Sequence, residues 1–161
     1  MTIDPKTFRQ VLGHFATGIT VVTTRDAGGE PRGLTVNAFT SVSLDPPLVL
    51  FSLDRNSTTA PAFEVADAFA INILRADQRP VAERFAQTGG DKFTVGQWRS
   101  GKTGVPVLAD ALACIECTKW QVYDGGDHLL YLGRVEELWA GPGDPLLFFR
   151  GRILTLPSSG D

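Results

Sequence analysis

Residues 33–43 alternate between polar and apolar side chains. The polar set is Thr35, Asn37, Ser41 and Ser43. The apolar set is Leu34, Val36, Ala38 and Val42. In one extended strand these sets face opposite sides. Hydroxyls, an amide and nearby backbone N–H groups on one face are suited to holding a sugar-like chain and a phosphate without many cations. A strand face exposed to solvent is the plain structural alternative.

A second motif concerns phosphate chemistry more directly, because residues 96–103 match the phosphate-loop pattern G-x-x-x-x-G-K-[ST]. A true phosphate loop follows a strand and opens a helix, whose N-terminus helps to hold the phosphates. Thr103 is instead followed by Gly104, Val105 and Pro106, which is a poor helix start. We therefore expect a surface loop and no nucleoside triphosphate site.

Cys114 and Cys117 form the only C-x-x-C pair. They fall in a predicted strand over residues 112–123, where positions three apart point to opposite faces. No second pair completes a four-ligand metal site. The sequence thus predicts two buried structural cysteines, and no metal.

The two histidines are His14 and His128. His14 falls on a predicted first helix and is interpreted as a packed or surface residue. A Ser-His-Asp triad gains no support, since no G-x-S-x-G elbow occurs. His128 follows Gly125-Gly126-Asp127 at the start of a predicted strand, a position from which a side chain can reach a cleft.

Strands dominate the predicted elements. Helices are expected over residues 5–16, over residues 58–66 and after Asp77. Asp77 is predicted to cap the third of these helices. Strands are expected over 19–24, 33–43, 48–53, 69–74, 112–123, 128–139 and 146–155, with an irregular stretch over 88–110. Few, peripheral helices and short strands connected by turns favour an antiparallel barrel over a doubly wound α/β sheet.

Composition limits the classes of protein that fit. The chain has 161 residues, a net charge of −3 and 43% hydrophobic residues, which suits one domain with a core. The acidic balance gives no basic surface for a nucleic acid partner. There is no run of about 18 apolar residues for a membrane span. The first ten residues lack an apolar signal segment, so a cytoplasmic location is expected.

Four segments, taken in order, are more specific. They are 15–24 (FATGITVVTT), 33–49 (GLTVNAFTSVSLDPPLV), 126–128 (GDH) and 145–151 (PLLFFRG). Together they resemble the short-chain flavin reductases, the reductase components of two-component flavin-dependent monooxygenases. The resemblance covers roughly residues 8–156. Asp91-Lys92-Phe93, Trp98, Gly101, Gly104 and Pro106 also fit the family pattern, which explains the false phosphate loop.

This resemblance implies a mainly β, split β-barrel fold of the FMN-binding type, as one domain over residues 1–161. It implies a homodimer that oxidises NADH or NADPH, reduces FMN or FAD by hydride transfer and releases reduced flavin to a partner monooxygenase. A flavin-binding electron carrier and a pyridoxamine-phosphate-oxidase-like flavoenzyme are the alternatives. They differ in whether the flavin dissociates and whether NADH is consumed.

The resemblance also implies roles for individual residues. Its implied flavin contacts in the second segment are Thr35, Val36, Asn37, Ala38, Ser41, Val42 and Ser43. The residues that the resemblance implies on the phosphate side of the flavin site are Ser52, Asn56, Ser57, Thr58 and Thr59. Further implied cofactor contacts are Lys92, Phe93, Phe149 and Gly151. The residue implied to contact and orient the reduced nicotinamide is His128.

Two departures from the family pattern stand out. Many relatives carry Lys or Arg in the 56–59 loop, whereas here the only basic residue beside it is Arg55. Many relatives carry Tyr where this chain has Ile153. The first departure bears on phosphate affinity, and the second on ring packing by the last strand.

Overall fold

The computed structural model describes residues 2–157. The helices are α1 (Pro5–Leu12), α2 (Ala60–Val65) and α3 (Arg79–Phe85), with a 3-10 turn at Lys92–Thr94. The strands are β1 (Thr17–Gly18), β2 (Thr20–Arg25), β3 (Pro31–Val36), β4 (Phe39–Leu44), β5 (Pro47–Asp54), β6 (Ala68–Ile73), β7 (Trp98–Ser100), β8 (Pro106–Leu108), β9 (Ala113–Gly125), β10 (His128–Ala140), β11 (Leu146–Phe149) and β12 (Arg152–Thr155).

Seven strands form the main antiparallel sheet, in the order β3-β2-β6-β9-β10-β5-β4. Its two edge strands, β3 and β4, are consecutive in the chain and are joined by only Asn37 and Ala38. A two-residue connection between opposite edges is possible only if the sheet rolls until the edges meet. The barrel expected from the sequence follows directly from this connection.

Two larger hydrophobic cores lie on the two sides of the barrel wall, and a third, smaller cluster holds Ala70, Val105, Val107 and Cys114. Inside the barrel, Phe51 packs against Phe63, Phe69 and Tyr131 at ring-centroid distances of 5.0 to 5.5 Å. Outside, α3 covers β2 and packs Phe85 against Phe93 and Trp98. Alternation along β2 serves both cores, because Val22 points inward and Val21 outward.

The single strand predicted over residues 33–43 is wrong, because the chain leaves β3 after Val36 and enters β4 at Phe39. Leu34 and Val36 face the barrel interior and Thr35 faces outward, as the alternation predicted. Beyond the break the pattern is not continuous. A bulge between Ser41 and Ser43 shifts the register with β5, so that Ser41 is opposite inward-facing Val49 whereas Ser43 is opposite Leu48, and the two serines no longer share a face.

The strand predicted over 146–155 is also two strands, β11 and β12, which pair as a hairpin. Arg150 and Gly151 form its turn, both with positive φ (52° and 75°). A left-handed backbone at two successive positions reverses the chain, which alternation alone does not reveal. A three-stranded sheet, β1-β11-β12, results.

The three predicted helices exist, with shorter bounds. Asp4 caps α1, since its carboxylate accepts the Thr7 N–H at 2.9 Å. Asp77 does not cap α3, contrary to expectation, because it pairs with Arg75 Nε at 2.7 Å and the helix starts at Arg79. Among residues 2–157, no helix has the length and apolar character needed to cross a membrane.

Candidate active site

An apolar cavity of about 480 Å³ lies outside the barrel wall, beside the end of β3. Thr35 and Asn37 contribute its polar edge. Its apolar lining comes from Ile19, Ala82, Phe148 and Ile153. A volume of this size, mainly apolar with a few polar groups, is typical of a site for a small molecule with a planar ring.

A polar cavity of about 550 Å³ lies further back along the same strand. Its lining includes Gly33, Thr58, Thr59, Lys92, Phe93 and the backbone at Gly89. Gly33 and Thr35, two residues apart on β3, place the two cavities about 7 Å from each other along the strand. One face of β3 therefore runs from a polar cavity, lined by charged groups of both signs and by hydroxyls, to an apolar one.

Lys92 joins the elements around the polar cavity. Its Nζ donates to the carbonyl oxygens of Gly33 at 3.2 Å and Phe85 at 3.4 Å. Burial, and then the positive charge of Arg84, lower the pKa of Lys92 below its usual value. An ammonium group has three donors, so one remains for an anion in the cavity.

Thr35 has a structural role as well as a place in the apolar cavity. Its Oγ1 donates to the Ala82 carbonyl at the end of α3, at 2.7 Å. That carbonyl also accepts the Ala86 N–H at 3.2 Å, so the Thr35 hydroxyl fills its second acceptor site and fixes α3 against β3. The hydroxyl remains able to accept a hydrogen bond from a ligand.

The loop before α2 supplies further hydroxyl groups. Ser57 Oγ and Thr59 Oγ1 are 2.7 Å apart, and Thr59 is buried. Asn56 is exposed, and its N–H donates to Asp54 Oδ1 at 2.8 Å. The structure thus brings Thr58 and Thr59 to Lys92 and Phe93 in one cavity, whereas Asn56 lies toward solvent.

His128 lies on the outer face of the barrel wall and is not among the residues that line either cavity. Its neighbour Leu129 pairs with buried Leu53, so His128 points the opposite way, outward. Ser52 is opposite Leu130, on the same outer face. The sequence predicted His128 in one site with Thr35 and Asn37. Within one chain, however, His128 does not line the cavity that Thr35 and Asn37 line.

The His128 ring is oriented by its neighbour. Nδ1 lies 2.7 Å from Asp127 Oδ1. An ionised carboxylate only accepts, so Nδ1 carries the proton and the neutral ring has Nε2 as an acceptor. This hydrogen bond holds the pKa of Asp127 below its usual value. The side chain of His128 is 40% exposed, which leaves Nε2 accessible to a ligand.

The remaining predicted contacts lie elsewhere. Ser41 and Val42 are exposed on the edge strand β4, and Ser43 is half-buried there. Phe149 packs edge-on against His14 at a centroid distance of 6.5 Å, beside α1. Gly151 lies in a shallow pocket on that side. None of these five residues lines the apolar or the polar cavity.

Phe148 lines the apolar cavity and was missed by the sequence reasoning, which had named Ile153 only as a departure that bears on ring packing. Phe148 and Ile153 are register partners in the β11–β12 hairpin, and alternation turns Phe148 toward the cavity and Phe149 away from it. A turn assigned at Arg150-Gly151 would have revealed the pairing, because a two-residue loop fixes the register of its strands.

The phosphate-loop match is a surface hairpin, as predicted. Lys102 Nζ pairs with Glu137 Oε2 at 2.5 Å. The N–H and hydroxyl of Thr103 donate to Glu116 Oε1 at 2.9 and 2.7 Å. β8 follows, not a helix. With Lys102 and Thr103 engaged by carboxylates, the segment does not form a phosphate cradle.

Cys114 and Cys117 are free, buried and directed into different cores, as predicted from strand alternation. Burial raises the pKa of both thiols to about 12. Within residues 2–157, no cluster of His, Cys, Asp and Glu has the composition to hold a metal ion.

The sequence matches the family described as flavin reductase like domain over residues 12–157. It is 44% identical over 152 residues to the flavin-dependent monooxygenase reductase subunit HsaB of Mycobacterium tuberculosis, covering 92% of this chain and 81% of that protein. It is 41% identical over 161 residues to the NADH-dependent flavin reductase of a Rhodococcus species, covering 98% and 90%. A probable flavin reductase of Rhizobium meliloti is 45% identical over 152 residues, and this chain spans about half (49%) of its length.

A solved structure agrees with these relatives. The NADH:FAD oxidoreductase SgcE6 of Streptomyces globisporus, in complex with NAD and FAD fragments, superposes with a TM-score of 0.91 at 38% identity. The alignment covers 100% of this chain and 99% of that one. The chain belongs to the flavin reductase family. The mainly β fold and the class of enzyme expected from the sequence, a nicotinamide-dependent flavin reductase, are confirmed.

Proposed function

We propose that the protein oxidises NADH or NADPH, reduces FMN or FAD, and releases the reduced flavin to a partner flavin-dependent monooxygenase. The observation that carries this proposal is the pair of cavities along one face of β3, one apolar and one polar, the polar one lined by Lys92 together with the hydroxyls of Thr58 and Thr59. The names of the relatives support it, because they include reductase subunits of monooxygenases and an NADH-dependent flavin reductase.

The chain's residues fit a flavin. The apolar cavity offers Phe148 and Ile153 to a ring system, and Thr35 and Asn37 to its polar edge. The polar cavity offers the Lys92 ammonium and the hydroxyls of Thr58 and Thr59 to a phosphate. Arg55 is not the phosphate cation in this proposal, since its guanidinium pairs with Asp124.

A bound flavin and a reduced nicotinamide supply the hydride chemistry themselves. The protein's part is to hold the two rings in contact and to exclude water, and such positioning supplies on the order of 7–11 kcal/mol. His128 accepts a hydrogen bond at Nε2 from the nicotinamide carboxamide, while Asp127 holds its Nδ1 proton. No residue has to act as a base, because the transferred species is a hydride.

The separation of His128 from the cavities supports a homodimer. The outer face that carries His128 also carries Leu130, Tyr123, Leu132 and Leu50, since these are register partners on β5, β9 and β10. Tyr123 is 51% exposed. A second copy seated on this apolar face brings its cavity toward His128 and completes the site.

A cytoplasmic location and a single domain are further parts of the proposal, and each is supported by one feature. Both cysteines are free thiols, as expected in a reducing compartment. The family match over residues 12–157 supports a single flavin reductase domain over 1–161; Met1 and residues 158–161 lie outside the described residues.

The test is oxidation of NADH and of NADPH by the purified protein with FMN and with FAD, in four separate assays followed at 340 nm. We expect oxidation in air with no other substrate, and flavin that is removed by gel filtration. An inactive protein in all four assays contradicts the reductase. Flavin that stays bound while no nicotinamide is consumed favours the electron carrier, and oxidation of a pyridoxamine phosphate favours the oxidase.

A further inference from the structure

The β9–β10 hairpin that carries His128 is covered on one side only, because β10 pairs with β5 as far as His128 whereas β6 pairs with β9 only over residues 113–118. Residues 121–127, at the end of β9 and in the turn, are all exposed. Gly126 has a φ of +79°, so the turn has a left-handed position that glycine adopts without strain. The exposed β9 arm and the glycine turn therefore have few contacts within the hairpin to hold them in place.

Arg55 supplies contacts from outside the hairpin to three of its residues. Its backbone N–H donates to the Asp127 carbonyl at 3.0 Å. Its Nε–H donates to the Gly126 carbonyl at 2.8 Å, and its guanidinium pairs with the Asp124 carboxylate. These contacts reach both turn residues and β9 at once. The next residue after Asp127 is His128.

The backbone of His128 is therefore fixed from two directions. Its register partner on β5 is Asp54, the residue immediately before Arg55. Arg55 continues from that strand end and holds the turn that precedes His128. Arginine suits this task because its planar guanidinium donates from several nitrogens in a fixed geometry, which a lysine does not reproduce.

We propose that Arg55 is a positioning residue that fixes the β9–β10 turn and thereby aims the His128 ring at the nicotinamide. The inference rests on the proposed role of His128. Arg55 acts through that residue and does not bind the flavin phosphate. Its side chain is 42% exposed and that of Asp124 is 79% exposed, so their ion pair adds little to folding stability. Its effect is on the geometry of the turn.

The first test compares Arg55→Met and Asp124→Asn, with Lys102→Met as the matched control. Lys102 is also an exposed cation paired with a carboxylate, Glu137, but it lies on another hairpin. At saturating NADH, we expect Arg55→Met to slow flavin bleaching in stopped flow by about tenfold, because small misplacements of a positioning group have effects of this size. Asp124→Asn should act in the same direction, and Lys102→Met should have no effect.

Flavin titration separates this role from phosphate binding. We expect the flavin Kd of Arg55→Met and Asp124→Asn to stay within about twofold of the starting value, since neither residue reaches the phosphate. A flavin Kd that rises about tenfold in Arg55→Met but not in Asp124→Asn overturns the proposal and makes Arg55 a phosphate ligand. Equal hydride rates in Arg55→Met and the starting protein overturn it as well.

Two measurements test whether Arg55 acts through His128. In the flavin-free protein, amide hydrogen exchange of residues 124–130 should accelerate in Arg55→Met while the 101–108 hairpin is unchanged. In a double-mutant cycle, Arg55→Met should add almost nothing once His128 is alanine. Additive effects contradict the proposal. If His128→Ala alone leaves hydride transfer unchanged, the proposed function of His128 fails, which is a separate result.

Discussion

Asp127 and His128 form a hydrogen-bonded pair in which the imidazole Nδ1 is bound to the carboxylate and Nε2 has no partner within the pair. Nδ1 is held at 2.7 Å by Asp127, while the ring stays partly exposed. A ring held in this way is suited to a ligand that approaches from outside the barrel. The exposure of His128 in one chain is thus consistent with a site that is completed by a second chain.

His128→Ala should weaken NAD(P)H binding or slow hydride transfer by about 10–100-fold, equivalent to about 1.4–2.8 kcal/mol. Flavin affinity should change far less, because the two cavities lie on β3 and not on β10. Stopped-flow flavin bleaching and a separate flavin titration measure the two effects. His14→Ala is the control, as that imidazole is exposed beside α1. Loss of flavin binding with normal hydride transfer in the residual complex contradicts the assigned role.

The two cysteines should be unreactive toward a thiol reagent in the folded protein at pH 8, and both should react after denaturation. Burial raises the pKa of each thiol from 9.0 to about 12, so almost no thiolate is present. The folded state then holds protons that the unfolded state releases, so stability should fall as the pH rises from about 9 toward 12. Rapid labelling of either thiol in the native protein contradicts the buried placement.

At the scale of elements, the sequence predicted most strands because alternation is a local property. It indicated β2, β5 and β6 as strands, and it predicted the β9 and β10 strands. The sequence predicted β3 and β4 as one strand, and β11 and β12 as another. It did so because both breaks depend on the three-dimensional path of the chain and not on local alternation. Asn37 and Ala38 connect opposite edges of a rolled sheet, and Arg150 with Gly151 adopts left-handed backbone angles. Alternation does not register either change in direction.

The same limit explains which site residues were predicted. Thr35, Asn37, Thr58, Thr59, Lys92 and Phe93 line the two cavities. Ser41, Val42 and Ser43 were assigned by continuing one strand beyond its real end, and the cavities do not include them. Phe149 was named from the resemblance, and the register of the β11–β12 hairpin places Phe148 rather than Phe149 at the apolar cavity.

Gly133→Ala tests the close packing of β10 against the barrel interior. A Cβ added at Gly133 would lie 2.5 Å from Phe69 Cζ and 2.6 Å from Cys117 Cβ. Relief of this overlap requires shifts in a packed core, so unfolding free energy should fall by about 1–3 kcal/mol. Gly141→Ala is the control, because the nearest atoms are at 3.8 Å. Chemical denaturation measures both, and equal midpoints contradict the packing.

At the scale of the whole molecule, two of the surfaces that the structure describes expose large apolar side chains near the elements of the candidate site. The helix α1 has no buried residue and exposes Phe8, Val11 and Leu12, and Phe15 just beyond it is 80% exposed. The outer face of β4, β5, β9 and β10 exposes Val42 and Tyr123. Exposed apolar side chains grouped on one face are a feature of interaction surfaces. The second patch adjoins His128, which links assembly to activity.

In light scattering at micromolar concentration, the protein should have twice the 17.4 kDa mass of one chain. Val42→Glu combined with Tyr123→Glu places charges on the outer face and should yield single chains, because buried unpaired carboxylates oppose association. Both positions are exposed in the single chain, so circular dichroism and melting temperature should change little. Leu154→Glu, on the small β1-β11-β12 sheet, is the control and should remain a dimer. In the Val42→Glu, Tyr123→Glu variant His128 lacks the partner's cavity, so NADH oxidation should fall together with the dimer. A starting protein of single-chain mass contradicts the dimer, and a charged variant that still dimerises shows that the interface lies elsewhere, with α1 the next surface to test.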